Sequence, residues 1–568
     1  MAHLYSLSIH HYRGIKDLKI IFGHRKFVAI IGRGDSGKTT ILKAISAVLS
    51  PNWGLNFNDL DFYECKTEEP ILIEAVLKEV PDELIKQDKF GLCMGFLKDD
   101  FITYDIESIP EDEQNQFEKI LTIRLKVTEN LEPKWTVVHG PLLDQEVEIN
   151  GNDRAKLNMY QVNDYIDNHF SYSKGSPLFS LFRQNLSDKS TTEKKILEMV
   201  RKSYQAIKKE NVFAEFDEVK KIILEQAKGV GLNLAELCTL LEFKENAYSE
   251  CNITLHSDNI PYRLHGKGSK RLLSIAIQKG LVEDGGIVLI DELEQGLEPD
   301  RSRNLARLLK QTEKGQVFIT THSMTVLVEA NAENILLLTP GAGEMQTFDN
   351  EYQGILRIRP EAFFAKKVIC CEGLTEVGII RAFDDHLQQK RGYGLAVQGI
   401  VYINCQGGDG FYRDSELLKK KGYDVCVFAD DDTKDLERKK RFAAESGIKM
   451  VLCDKGKCIE SMLFTYLPWD AVIEMIGYAE ATKGHQAVFD SLTYKDLNVI
   501  KTIEAEAEKQ KVRRECAEMA GKGKWYKMMD PGEVIGRVWF DHIEQMNTDN
   551  GLRKEYDELI SWVGNDIN

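Results

Sequence analysis

The run Gly32-Arg33-Gly34-Asp35-Ser36-Gly37-Lys38-Thr39 constrains the fold of this chain more than any other stretch of it. It fits G-x4-G-K-[ST], a loop whose backbone N–H groups wrap a phosphate, whose lysine reaches the β- and γ-phosphates, and whose hydroxyl meets Mg²⁺. Such a loop functions only between a strand and a helix. Lys26–Ile31, just before it, is a short apolar run, and after it Ile41, Leu42, Ile45 and Leu49 recur at helical spacing over Thr39–Leu49. A strand, a phosphate-binding turn and a helix in that order call for an α/β fold. Gly32, Gly34, Asp35, Ser36, Gly37, Lys38, Thr39 and Thr40 are therefore the expected phosphate contacts.

The rest of a nucleotide site follows far downstream. Ile287–Ile290 is an apolar run that ends in Asp291-Glu292. A buried strand delivers such carboxylates to the edge of the sheet where the phosphate loop lies. Asp291 is expected to hold Mg²⁺ through water and Glu292 to polarise the attacking water. Val317–Thr320 is a further apolar strand, followed by Thr321-His322-Ser323, which puts His322 where it can sense charge developing on a γ-phosphate.

Between these landmarks, residues 4–31 read as two strands around a turn, Leu4–His10 and Lys26–Ile31. Residues 71–80 and 120–128 read as strands. Residues 155–250 are Glu/Lys-rich, with Ile196, Met199, Val200, Tyr204 and Ile207 at helical spacing, and read as a helical insertion. The α/β pattern resumes at Gly285, with a helix over Pro299–Gln311. Thr339–Glu344 is turn-rich and reads as a linker.

A second strand–helix series begins at Lys367, with strands Val368–Cys371, Gly399–Cys405, Val425–Ala429 and Lys449–Cys453. This alternation implies a mostly parallel sheet. The first strand ends in Glu372-Gly373, and Glu376 follows one helical turn on. The third ends in Asp430-Asp431-Asp432, where Asp430 and Asp432 point the same way on an extended chain. Glu460 opens the helix after the fourth. Glu372, Glu376, Asp430, Asp432 and Glu460 together make a hard-oxygen set suited to Mg²⁺ or Mn²⁺. Two such ions can stabilise both the attacking and the leaving oxygen of a phosphodiester. The last hundred or so residues read as mostly helical.

Composition bounds the function. The chain has 568 residues, 43% hydrophobic and 29% charged, an ordinary globular mix for several domains. Its net charge of -16 argues against a surface coated in basic residues, yet it leaves room for one basic groove. No run approaches the length of a membrane span, and Met1–Ile20 lacks the apolar core of a signal peptide, so a cytoplasmic location is expected. The 11 cysteines are scattered and read as reduced thiols.

Residues 1 to about 340 resemble the ABC-type ATPases of the SMC and RecF group. Leu4…His11-Tyr12-Arg13-Gly14-Ile15 resembles that group's first strand and turn, which implies that Arg13 lies near the nucleotide. His265-Gly266-Lys267-Gly268-Ser269-Lys270-Arg271 occupies the place of the signature motif, in a looser G-x-G-x-x-R form. The resemblance implies that Gly268 meets the nucleotide of a second subunit. Leu293–Pro299 resembles the D-loop and Asp61-Phe62 the Q-loop.

Residues 365–465 resemble the Toprim domain of topoisomerases, primases and nucleases, with Gly407-Gly408-Asp409-Gly410 as its glycine turn. Toprim after an SMC-like ATPase with a helical insert resembles the OLD (overcoming lysogenisation defect) family, to which the Gabija anti-phage nucleases belong. The resemblance implies an ABC-type ATPase over 1–154 and 251–345, a helical, dimer-forming insertion over 155–250, a Toprim nuclease over 365–470, and a helical region over 471–568 that completes it. It implies ATP and Mg²⁺ or Mn²⁺ as cofactors and double-stranded DNA as substrate. It also implies a homo-oligomer and a helicase partner from a neighbouring gene. A C-terminal lysine before an aromatic assists cleavage in relatives. Gly521-Lys522-Gly523-Lys524-Trp525-Tyr526-Lys527 fits, with Lys522 favoured and Lys524 next.

The competing class is a RecF/SMC-like repair clamp without nuclease activity, which has no use for the second carboxylate set. A topoisomerase or primase would need a winged helix bearing a nucleophilic tyrosine, or a zinc module, and the sequence offers neither.

Overall fold

The computed structural model describes the chain except for residues 1, 53–54, 106–108, 141–145, 163–166, 173–175, 186–213, 233, 235, 244–250, 282–284, 340–344, 431–435, 454–456 and 565–568. It divides into two compact units, Met1–Arg357 and Ile358–Asn568.

The first unit contains a six-stranded sheet in the order Met159–Val162, Ile287–Ile290, Gln316–Thr320, Phe27–Ile31, Ile335–Leu337 and Gln346–Thr347. Neighbours are parallel except the last pair. Phe27–Ile31, Ile287–Ile290 and Gln316–Thr320 are buried along their whole length, as the apolar runs within them require in a sheet covered on both faces. A second, antiparallel sheet is led by Ile15–Ile21, His3–Tyr12, Ile71–Lys78 and Glu118–Val127. The helix Lys38–Leu49 packs its Ile41, Leu42, Ile45 and Val48 into one core shared with Leu7, Ile9, Ile73 and Leu125 of one sheet and Val28, Ile30, Leu289 and Phe318 of the other.

Two readings of the sequence change here. Residues 4–31 hold three strands, because Ile15–Ile21 folds back on His3–Tyr12 with Tyr12 opposite Ile15. Its Ile15, Leu18 and Ile20 are buried while Lys16, Asp17 and Lys19 are exposed, so three charges among seven residues, two of them adjacent, disguised a half-buried strand. Within 155–250, Met159–Val162 is a strand of the parallel sheet, and Cys238–Phe243 pairs with Cys251–Ser257 in a small antiparallel sheet. Helices Pro177–Asn185 and Asp217–Gly229 are present. The periodic stretch from Ile196 to Ile207, and residues 340–344 of the turn-rich segment, lie outside the described residues.

The second unit is built on a parallel sheet in the order Ile400–Asn404, Lys367–Cys371, Asp424–Ala429, Lys449–Leu452. The long helix Leu374–Arg391 follows the first of these strands in sequence. Beyond the sheet come the helices Ile459–Tyr466, Trp469–Lys483, Glu506–Gly523, Met529–Asp541 and Gly551–Val563, which share one core with it. Met529–Asp541 lies unusually close to Leu374–Arg391. A Cβ on Gly378 would stand 2.2 Å from the Met529 carbonyl oxygen, and one on Gly532 would stand 2.4 Å from that of Thr375. Only residues without a side chain allow the two backbones this approach. No helix among the described residues is long and apolar enough to cross a membrane.

Candidate functional site

In the first unit the phosphate loop closes on its own lysine. Lys38 is buried, and its ammonium donates to the carbonyls of Gly32 (2.9 Å) and Arg33 (2.7 Å) and to the Ser36 hydroxyl (3.3 Å). Burial pushes its pKa down, against the pull of Asp291 and Glu292. Gly32 has φ +156°, and a Cβ there would meet the Leu338 carbonyl at 2.7 Å, so this position of the loop requires glycine. Thr39 and Thr320 both donate to Asp291 Oδ1, at 3.2 and 2.6 Å, and the backbone N–H of Glu292 donates to the Thr320 hydroxyl at 2.7 Å. The structure thus brings Thr39, Asp291, Glu292 and Lys38 together.

His322 stands beside them. Its backbone N–H donates to Glu294 at 2.7 Å, and its imidazole pKa is lowered, first by burial and then by Lys38. Arg13, at φ 52°, is held through its guanidinium by Asp61 at 2.8 Å. Gly268 lies against Gly296: a Cβ there would be 2.4 Å from the Gly296 carbonyl oxygen. Arg271 is the arginine of the signature-like G-x-G-x-x-R run and Glu294 belongs to the D-loop-like stretch, but the sequence assigned no role to either, nor to Thr320. Arg271 is buried and donates to the carbonyls of Asp291 and Glu292 (2.7 Å to the latter) and to Gln295 (2.8 Å), tying the signature-like helix to the acidic strand end of its own chain.

In the second unit three carboxylates converge under the ends of the parallel strands. Glu376 sits in the first turn of Leu374–Arg391, where its side chain accepts the N–H of Gly373 at 2.9 Å. Asp430 ends the Asp424–Ala429 strand and accepts the N–H of Ile459 at 2.8 Å, which brings the helix carrying Glu460 beside it. Glu460 is 0% exposed, and neither of its oxygens accepts a hydrogen bond. Glu372 is close by: Lys439, itself buried, lies 3.6 Å from its carboxylate and donates to the Asp430 carbonyl. The opening is a cleft of about 460 Å³ lined by Glu372, Glu376, Asn404, Asp430 and Lys527. A larger cavity, about 1230 Å³, lies in the first unit around Trp135 and Arg154 and contains none of the predicted residues.

The electrostatics are those of crowded acids in a dry place. Burial, with Glu372 and Glu460 adding to it, pushes the Glu376 carboxyl up to about 7, against the pull of Lys527. Burial, then Glu376 and Glu460, hold Asp430 well above the usual carboxylate range. Lys527 answers them. Its ammonium is 3.4 Å from Glu460 and 3.9 Å from Asp430. Burial disfavours its charge, but Glu460, Asp430 and Glu376 outweigh that and raise its pKa.

The predicted lysine is elsewhere. Lys522 is 67% exposed and pairs with Glu518 one turn back on the helix Glu506–Gly523, and Lys524 caps that helix in the left-handed region. Trp525 and Tyr526 then turn inward, almost wholly buried, and the next side chain, Lys527, enters the cleft. The basic stretch was legible, but which of its lysines faces the acids depends on where the helix ends. Lys439 carried no signal, since it sits in an ordinary charged helix. Asp432 lies outside the described residues.

The donor set suits a hard divalent cation: carboxylate oxygens only, with both oxygens of Glu460 buried and unsatisfied. Among the described residues no three of these groups surround a single point closely enough to hold an ion as they stand.

Comparison with known proteins agrees with this division. Residues 3–327 match the family model described as AAA ATPase domain. Residues 363–432 match that described as overcoming lysogenization defect protein-like, TOPRIM domain. A stretch of 74 residues is 36% identical to ABC transporter A family member 8 of Dictyostelium discoideum, covering 13% of this chain and only 9% of that protein. Among solved structures, the SMC head domain from Thermotoga maritima aligns at 13% identity and TM-score 0.30, over 61% of this chain and 99% of that one. The Smc head domain bound to the C-terminal domain of ScpA, from Pyrococcus furiosus, aligns at 15% and 0.37, over 62% and 97%. The recombination mediator RecF aligns at 12% and 0.36, over 61% and 98%. Similarity to structures this weak fixes neither fold nor function. One family model falls in each half, and the first alone spans more than half of the chain: the protein belongs to the AAA ATPase domain family and, with the Toprim domain that follows, is an ATPase–Toprim protein of the OLD type.

Proposed function

We propose that this protein is a nucleotide-regulated, divalent-metal-dependent DNA endonuclease that acts in defence against phage. The observation that carries the reading is the meeting of Glu376, Asp430 and Glu460 with Lys527 in one cleft. A repair clamp has no use for buried, unsatisfied carboxylates, because they cost stability unless a cation is to be held.

Glu372, Glu376, Asp430, Asp432 and Glu460 would hold Mg²⁺ or Mn²⁺, which when bound supplies the charge that stabilises the oxygens exchanging at phosphorus. The protein's own part is positioning. Lys439 fixes the Asp430 backbone and Glu372 from behind. Lys527, which lines the cleft and is partly exposed, offers positive charge to a phosphate entering it and to the charge that builds on it. In the other unit Lys38, Thr39 and Asp291 would bind ATP and its Mg²⁺, with Glu292 orienting water and His322 sensing the γ-phosphate. Gly268 and the D-loop are useful only when a second head faces the first, so a homo-oligomer follows from this reading. A helicase encoded nearby is the partner proposed by family resemblance.

Supercoiled plasmid incubated with Mg²⁺ or Mn²⁺ tests the reading. Nicked or linear product, abolished by EDTA and by Asp430→Ala, supports it. Clean relaxation would indicate a topoisomerase, and intact DNA a clamp.

A further inference from the structure

Lys527 is attached to the protein in an unusual way. Tyr526, its neighbour, is buried. The Tyr526 hydroxyl donates to the Met475 carbonyl at 2.9 Å, and the Tyr526 carbonyl accepts from the Thr375 hydroxyl at 3.1 Å. The backbone is therefore fixed on both sides just before Lys527. The side chain is not: it remains 40% exposed. Its contacts with Glu460 and Asp430, at 3.4 and 3.9 Å, are ion pairs beyond the ordinary span of a charge-assisted hydrogen bond. An anchored base with a four-carbon arm and a compact point charge can reach two places without any movement of the fold.

The place it now occupies is the one a metal needs. Glu460 is fully buried with two unsatisfied oxygens, and among the described residues Lys527 is the cation that pairs with it. A second cation is disfavoured at those oxygens while the ammonium stands against them, because like charges within about 4–6 Å repel one another. Without any cation the buried acids would repel each other. We infer that the Lys527 ammonium is a tethered counter-cation, which neutralises Glu460 and Asp430 in the metal-free cleft and must be displaced by the divalent ion, so that this one side chain sets the metal affinity of the site. Displacement carries the ammonium along the open side of the cleft, toward where the proposed function puts the phosphate. Binding of metal and presentation of the lysine are then a single event.

The inference rests on the reading of the cleft as a metal site, and its test separates the two. Mn²⁺ and Ca²⁺ binding to the whole protein is measured by titration calorimetry at pH 8, without DNA, for wild type, Lys527→Met and Lys527→Arg. Lys527→Met should bind metal more tightly, by about tenfold, the size of effect a nearby charge has on an ionisation. Lys527→Arg keeps the charge and should bind no more tightly than wild type. Unchanged or weaker binding by Lys527→Met overturns the inference while leaving the metal site standing. No metal binding by the wild type overturns both. A second measurement avoids mutation: acetylation of surface amines in the wild type, read by peptide mass spectrometry with and without Mn²⁺. Metal should raise labelling of Lys527 several-fold and leave Lys522 unchanged. Labelling of Lys527 that stays level or falls would also overturn the inference.

Discussion

The hydroxyl of Thr375 donates to the carbonyl of Tyr526 at 3.1 Å, and the two residues that follow them in the chain are Glu376 and Lys527. One hydrogen bond thus sets an acid and a base, 151 positions apart in sequence, on adjoining segments of the same cleft. It is possible because Gly378 and Gly532 let the helices that carry these segments touch backbone to backbone.

Cleavage should depend on Lys527 and hardly at all on Lys522. Loss of one donor to a developing oxyanion typically costs about 10²–10³ in rate. Lys527→Ala should therefore nick plasmid far more slowly than wild type, at saturating Mn²⁺. Lys522→Ala removes only an exposed pair with Glu518 and should stay within about twofold, since such pairs contribute little. Equal rates for the two variants would remove Lys527 from the site.

The helix crossing can be tested by a single methyl group. Gly532→Ala puts a Cβ 2.4 Å from the Thr375 carbonyl oxygen, where the neighbour is backbone and cannot swing away. Overpacking of this kind costs about 1–3 kcal/mol. Calorimetric melting of the Ile358–Asn568 transition should fall by several degrees, and nicking should slow, while nucleotide binding is retained.

The metal-free protein should lose stability between mildly acidic and mildly alkaline pH, in part through Glu376. Folding raises this carboxyl from 4.5 to about 7, which means the folded state favours its protonated form. That contribution is complete below the unfolded value and disappears as pH rises through 7. Glu376→Gln, permanently neutral, should show a shallower decline of melting temperature from pH 5 to pH 8 in EDTA. A slope identical to wild type would mean that Glu376 is ionised throughout.

The two sites should fail separately. Lys38→Ala removes the cation that three oxygens of the phosphate loop now hold, and nucleotide binding by fluorescence or calorimetry should be lost. Asp430→Ala should end DNA cleavage and leave nucleotide binding at the wild-type level. Nicking by Asp430→Ala at the wild-type rate would refute the carboxylate assignment.

Light scattering offers a check on assembly. A strict monomer at micromolar concentration, with and without ATP, would be incompatible with a head-to-head role for Gly268 and Leu293–Pro299.

Much of this protein is written locally, and local features were readable. The phosphate loop lies between an apolar strand and a periodic helix. The Asp291-Glu292 pair ends an unbroken apolar run, and two strands of the second unit, Lys367–Cys371 and Asp424–Ala429, lead directly into Glu372 and Asp430, residues predicted to carry chemistry. These signals survive because they reside in neighbouring residues: a run of apolar side chains, a glycine, a charge at a strand end. What the sequence could not give is anything that depends on residues meeting from afar. Ile15–Ile21 was missed because Lys16, Asp17 and Lys19 break its apolar alternation, and only its pairing with His3–Tyr12 shows which side is inside. Met159–Val162 was missed because four mixed residues become a strand only beside Ile287–Ile290. Lys522, Lys524 and Lys527 are alike in composition and lie within one short stretch. The burial of Trp525 and Tyr526, and the close crossing of two helices at glycine, decided that the third of them faces Asp430 and Glu460, because the direction of a side chain is set by packing and not by its own chemistry.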